Sequence, residues 1–316
     1  MSKRVVITGL GVVAPNGVGI TEFSHAIKNG ISGIRHDIQL EELQFSCQIA
    51  GKPEISEELK AQYFTELELR GFSSTGILYG VIAGIEAWKN AGLPIETNEE
   101  PDWDSGTIFG SGTSGIDKFR ESIYKIDELQ VRKLGSTVVA QTMNSGISAY
   151  LGGKLGLGNQ ITTNSSACST GTEAILMAYD RIQSGQAKRI LAGSTGDSGP
   201  YIWGGFDALR VCSSKYNDNP EQGSRPMSAT AAGFVPASGA GALVIEDLES
   251  ALERGGAIYA EILGGNVNSG GQRGNGSMTA PNSTAVQRCI INAINNSGIS
   301  ANDIDAINGH LTATTK

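Results

Sequence analysis

The sequence predicts an α/β protein with a mainly parallel sheet, and three observations lead there. Apolar runs rich in Val, Ile and Leu alternate with segments at helical spacing, the pattern of strand–helix–strand units. The first strand-like run, residues 4–13, is continuously apolar and β-branched, which suits a strand covered on both faces. The 316 residues, 39% hydrophobic and 18% charged, suffice for packed layers around a large core or for two subdomains. The 43 glycines are dispersed without a period, so they mark tight turns and close backbone packing rather than a fibrous repeat.

Residues 4–13 (RVVITGLGVV) read as a parallel-type strand, being continuous and β-branched. Residues 19–30 read as a short helix that stops at Gly30. Residues 70–93 have helical spacing and many small residues, so this helix can lie close against a neighbour. Residues 105–115 form a strand running into a Gly/Ser loop, and 147–157 a short helix. A strand over 159–167 leads into a long helix over 170–186, and 189–197 is the next strand. Residues 241–255 give a strand and then a helix, and 258–271 a strand and a polar glycine loop. A helix over 283–298 precedes a last strand, which runs from 304 into a polar loop. No linker or low-complexity segment divides the chain. Its close on an exposed strand and loop suggests a piece of a larger fold.

Composition excludes several functions. The formal net charge of −8 argues against general affinity for nucleic acid or anionic membrane. No stretch approaches the roughly 18–20 apolar residues of a membrane-spanning helix. The N-terminal run is short, Gly-interrupted and Val-rich, a buried strand rather than a signal peptide. Cys47, Cys168, Cys212 and Cys289 are far apart with no CxxC pair. That argues against a metal site and reads as reduced thiols in a cytoplasm.

Two stretches could carry chemistry. GLGVVA at 9–14 fits the dinucleotide-binding GxGxxA pattern. Pro15 and Gly17 follow at once, so no helix opens where a pyrophosphate needs its N-terminus. A tight turn between buried elements is the better reading. Cys168 sits between a strand end and a helix start, among Ser165, Ser166, Ala167 and Ser169. Unpaired N–H groups at a helix start favour a thiolate, lowering a free pKa of roughly 8.5. The same groups could hold an oxyanion. On position alone, Cys168 is either a nucleophile or a packed structural thiol. Cys289 lies in an amphipathic helix and reads as core, and Cys47 and Cys212 have no helix start behind them. Of the three histidines, His25 lies on a surface-type helix and His36 in a charged loop. His310 follows a strand, where α/β proteins place ligands, and precedes a run of small hydroxyl residues.

Together these segments resemble the β-ketoacyl-acyl carrier protein synthases of the thiolase superfamily, above all the type II elongating enzymes. The similar stretches are RVVITGLGVVAPNGVG, IFGSGTSGIDKF, SSACSTGTEAI, the region from NDNPEQGSRPM through GFVPASGAGALVIEDLESALERG, NSGGQRGNGSMTAP and INGHLTATT. They span the whole chain. The resemblance implies an α/β thiolase-like fold layered α/β/α/β/α from two βαβαβαββ halves, the second incomplete here. It divides the chain into residues 1–256 and 257–316. It implies decarboxylative extension of an acyl chain by two carbons, with Cys168 as the acylated nucleophile. His310 then matches the first of two histidines that stabilise the enolate. Thr312 and Thr314, with Thr279, match contacts to the pantetheine arm. Arg132, Lys133, Arg210 and Lys215 are candidate contacts for an acidic carrier protein. No metal or bound cofactor is implied, since substrates travel on the carrier's phosphopantetheine. The partners implied are acyl carrier protein and a second copy or a related ketosynthase-like subunit.

There are departures. The implied second histidine and its lysine would fall beyond Lys316, so residues 1–316 alone should condense poorly. Leu311 stands where the family has glycine, and Ala232 and Ser238 stand at usually acidic positions. The stretch ELELR at 66–70 replaces a basic run. A non-condensing chain-length-factor-like partner or remnant, and a coenzyme A-dependent thiolase, are the alternatives. The presence of Cys168 weighs against the first. The HLTATT loop weighs against the second.

Overall fold

A computed structural model describes residues 2–95, 99–271, 274, 276, 280 and 282–314. Its strands are β1 (Val5–Ala14), β2 (Gly17–Val18), β3 (Ile34–His36), β4 (Ile49–Gly51), β5 (Ser105–Ser111), β6 (Ile161–Thr162), β7 (Arg189–Gly196), β8 (Gly239–Asp247) and β9 (Ala260–Ile262). Its helices are α1 (Ile20–Lys28), α2 (Ile38–Glu42), α3 (Glu57–Lys60), α4 (Glu66–Leu69), α5 (Thr75–Asn90), α6 (Ile116–Asp127), α7 (Val138–Thr142), α8 (Gly146–Leu155), α9 (Thr170–Gln183), α10 (Pro200–Ala208), α11 (Leu248–Glu253) and α12 (Ser283–Ser297).

The main sheet runs β2-β1-β8-β7-β5-β6, with β9 also on β1, while β3 and β4 pair separately. It is mixed, not mainly parallel. Only β5 pairs its neighbours β6 and β7 in parallel. β1 is antiparallel to β2, β8 and β9, and β7 to β8. The alternation of strands and helices counts elements but does not say which strands become neighbours. β1 turns back on itself at Pro15 and then takes partners from more than 200 residues away.

Period-two alternation sorts the sheet residues to opposite faces. Phe109, Leu191 and Val244 join α5 and α8 in one core, while Ile108, Ile190 and Ile245 join α9 in the other. α5 is buried along most of its length and lies very close to β1. A Cβ added at Gly9 would come within 2.3 Å of the Ala87 carbonyl oxygen, and one at Gly11 within 1.9 Å of that of Ala83. The GLGVVA glycines therefore serve helix–sheet contact, which accounts for the pattern without a nucleotide.

Polar anchors tie distant segments. Glu246, fully buried on β8, meets Arg254 and Arg189 at 2.7 and 2.9 Å, and Thr8 and Ser250 donate to it at 3.0 Å. Burial pushes its carboxyl up, but hydrogen bonds and charge from Arg254, with Arg189 and Ser250, outweigh this and hold it below the usual range. A cavity of about 390 Å³ lined in part by Trp88, Asp102, Arg189 and Arg254 opens beside this network. It lies at the start of β7, the opposite end of the sheet from Cys168. Asp197, buried after β7, accepts from the N–H groups of Gly76 and Gly115 and, at 3.3 Å, from the Ser74 and Thr75 hydroxyls. It thus joins the starts of α5 and α6.

Three expected strands are shorter or missing. The strand over 159–167 shrinks to β6, and that over 258–271 to β9. Residues 304–314 form no strand; no described strand runs beside them to complete a ladder. Residues 257–314 contribute β9 and α12, and α12 has no buried residue. Cys289 on α12 is accordingly half-buried rather than core, its thiol donating to the Asn266 carbonyl oxygen at 3.3 Å.

Candidate active site

The site is built where β6 gives way to α9. Ser148 on α8 fixes the end of β6, its hydroxyl lying 2.7 Å from both the Thr162 carbonyl oxygen and the Thr163 hydroxyl. The chain then arches through Ala167, Cys168 and Ser169, a single 3₁₀ turn, directly into α9. Ala167 has φ of 49°, the left-handed region, which costs a residue with a Cβ roughly 1–2 kcal/mol. Hydrogen bonds hold it there. The Ser166 N–H donates to Thr170 Oγ1 at 2.9 Å, and that hydroxyl donates to the Ala167 carbonyl oxygen at 2.7 Å. Asn164 Nδ2 donates to the Thr170 carbonyl oxygen at 2.8 Å. Gly110 on β5 leaves room for the turn: a Cβ there would sit 2.1 Å from Thr170 Cγ2.

Cys168 is exposed on this arch, while Cys47 and Cys212 are buried. Burial pushes both buried thiols up, Cys212 to about 12 with Cys47 and Asp207 adding to the effect. Those two are poor nucleophiles. Ser169, at the N-cap of α9, makes no side-chain cap bond. The Ser169 and Thr170 N–H groups donate to the Ser166 and Ala167 carbonyl oxygens; the N–H groups that follow in the first turn of α9 lack a side-chain cap and suit an anionic sulfur or an acyl oxyanion.

The other expected residues are placed as follows. His310 lies in exposed coil, and no hydrogen bond among the described residues joins it to Cys168. Thr312 and Thr314 come together, their hydroxyls 3.0 Å apart. Between them Ala313 is buried and accepts from the Gly233 N–H at 2.9 Å. This stitches the HLTATT loop to the GFV segment. Thr279 lies outside the described residues. Arg132 and Lys133 form part of an exposed 3₁₀ turn, Arg210 follows α10 and Lys215 is in a loop. All four are exposed, and none makes an ion pair among the described residues. The described residues hold no group of three or more His, Cys, Asp or Glu placed for a metal ion. None of the described helices is long and apolar enough to cross a membrane.

Sequence reasoning missed Asp197, the Glu246 network and Glu173. Asp197 acts through partners far away in the chain, and Glu246 joins the nearby Ser250 and Arg254 to the distant Thr8 and Arg189, a combination that no local pattern reveals. Glu173 had a signal, an acidic residue in the first turn of the helix that Cys168 precedes.

The fold is the one that solved ketosynthases share. The β-ketoacyl synthase from Burkholderia phymatum superposes with a TM-score of 0.88 at 30% identity, covering 99% of this chain and 74% of that one. A type II polyketide synthase acyl-carrier protein in complex with its ketosynthase bound to the hexaketide matches with a TM-score of 0.84 at 27% identity, covering all of this chain and 75% of the other. The beta-ketoacyl synthase N-terminal domain family matches residues 2–251, and its C-terminal domain family residues 259–316. The chain belongs to the beta-ketoacyl synthase family. The 3-oxoacyl-[acyl-carrier-protein] synthase I of Arabidopsis thaliana chloroplasts is 31% identical over 99% of this chain, and 3-oxoacyl-[acyl-carrier-protein] synthase 1 of Escherichia coli is 33% identical over the same share. The chain spans 65% of the Arabidopsis relative and 74% of the Escherichia coli one.

Proposed function

We propose that this chain carries the Cys168 nucleophile of a 3-oxoacyl-acyl carrier protein synthase. The observation that carries the reading is the exposed cysteine on a left-handed arch at a helix start without a side-chain cap, in a chain matched nearly end to end by such synthases. The Cys168 thiolate attacks the thioester of an acyl carrier protein. The carrier thiol leaves, and the acyl group stays on sulfur. A malonyl carrier protein then loses carbon dioxide, and His310 stabilises the enolate that forms. The enolate carbon attacks the Cys168 thioester. The tetrahedral intermediate expels the Cys168 thiolate, leaving a chain two carbons longer on the second carrier.

Thr312 and Thr314, with Thr279, would meet the pantetheine arm. The exposed cations Arg132, Lys133, Arg210 and Lys215 would meet the acidic carrier. The reaction needs no other cofactor. The boundary at 256/257 divides the nucleophile-bearing part from the His310-bearing part. Two copies would meet beside β6, which stands at the edge of the sheet among the described residues. Free thiols suit a reducing compartment such as the cytoplasm.

Mass spectrometry after incubation with an octanoyl-acyl carrier protein tests this. The expected result is one acyl group on Cys168, none on Cys168→Ala, and an unchanged melting temperature. Equal acylation of Cys168→Ala would reject the assignment. Residues 1–316 hold one of the two histidines that the family resemblance implies, so the same sample given malonyl carrier protein should release little or no extended product.

A further inference from the structure

Cys168 rides on an arch that costs energy to form, so something must hold the arch shut. Thr170 does so from the buried side, through its two hydrogen bonds to Ser166 and Ala167. A second clasp closes the open side: the Ser166 hydroxyl donates to the Glu173 carboxylate, one turn into α9. These two residues bracket the exposed segment 167–169, and both are half-buried. Ser166 is the N-cap of the 3₁₀ turn, yet its side chain caps nothing there; it is committed to Glu173 instead. A hydrogen bond to an ionised carboxylate is about twice as strong as a neutral one. The carboxylate itself is favoured in the first turn of a helix.

We propose that Ser166 and Glu173 are a positioning pair for Cys168, resting on the reading of Cys168 as the nucleophile. Their bond holds Ala167 left-handed and so keeps the sulfur over the start of α9. Without it Ala167 relaxes toward ordinary backbone, and the sulfur moves away from the helix N–H groups. A displacement of about 1 Å at a reacting atom can cost on the order of 100-fold in rate. Because the pair acts through the position of the sulfur, the effect falls on kcat for acyl transfer and leaves KM for the carrier in place.

The test uses the whole chain, with Ser166→Ala, Glu173→Ala, their double variant, and the conservative changes Ser166→Thr and Glu173→Gln. Two rates are read: acyl transfer from octanoyl-acyl carrier protein, and alkylation of the Cys168 peptide by iodoacetamide. Each Ala variant should lose about tenfold or more in acyl-transfer kcat, with KM unchanged. Its Cys168 alkylation should fall about threefold or more. The double variant should fall no further than either single one, because both remove the same bond. Ser166→Thr and Glu173→Gln, which keep a donor and an acceptor, should recover most of the loss. Parental rates in both Ala variants, multiplicative losses in the double variant, or failure of both conservative variants to recover would each overturn the pairing. If acyl transfer does not depend on Cys168, the functional reading fails, and the alkylation rates alone judge the pair. If Glu173→Ala does not fold, Ser166→Ala and the two conservative variants decide.

Discussion

α9 and α12 are helices of nearly equal length with opposite fates. α9 (14 residues) buries Ala174, Ala178 and Ile182 against the sheet, whereas α12 (15 residues) buries nothing. Both form, because helix signals are local. Asn282 caps α12 by accepting from the N–H groups of Thr284 and Ala285, and Gly298 ends it in the left-handed region. A strand is different, since its hydrogen bonds belong to a neighbour. Hence β7 and β8 form with partners on both sides, while residues 304–308 stay coil, with no strand beside them among the described residues. The lesson is that residues 5–253 carry the buried core through long-range contacts, whereas residues 263–314 rest mainly on local structure, with a few distant ties such as Gly233–Ala313 and Tyr179–Leu263.

The sharpest way to break that comparison is to remove a long-range anchor. Glu246→Ala leaves Arg189 and Arg254 facing each other without their shared carboxylate. Losing one partner of a buried ion network costs about 3–5 kcal/mol, which should appear as a large fall in the urea midpoint. The acid limb carries the same information. The folded pKa of Glu246 lies below its unfolded value of about 4.3. Its stabilisation is therefore fully present above about pH 4.3 and disappears as pH falls through the lower folded value. Glu246→Gln should flatten that part of the stability–pH curve. An unchanged slope would mean that the network adds nothing to acid stability.

A smaller loss is expected at the β1–α5 contact. Gly11→Ala drives a methyl group into the Ala83 carbonyl, and overpacking of this kind costs about 1–3 kcal/mol. A neutral result would show that α5 can move outward freely, contrary to its buried length.

This division also explains what could be read from the sequence. α1, α5, α9 and α12 were legible because each has its own periodicity and end signals. The arch at Cys168 was legible from small residues before a helix start. The mixed sheet was not, because nothing in RVVITGLGVV says that its partners are GALVIED and AEI. Nor was the clasp at Ser166, since a serine seven residues from a glutamate becomes a hydrogen bond only once Ala167 turns left-handed. The placement of His310 in coil was hidden for the same reason as the missing strand: the apolar pattern of 304–308 is real, but a pattern cannot supply a neighbour.

The smallest effect should fall on α12, and it sharpens the comparison most. Ile291 is 57% exposed, so truncation removes little buried area and leaves no cavity. Ile291→Ala should therefore change the urea midpoint of residues 1–316 by less than about 0.5 kcal/mol equivalent. Ile182→Ala on α9, fully buried, should cost about 2–5 kcal/mol by the same assay. Similar losses at the two sites would mean that α12 has an apolar partner in solution, and the division between long-range and local stabilisation would fail. A wide gap would mean that α12 stands on its caps, its helical bonds and its polar ties to residues 265–268, without apolar burial.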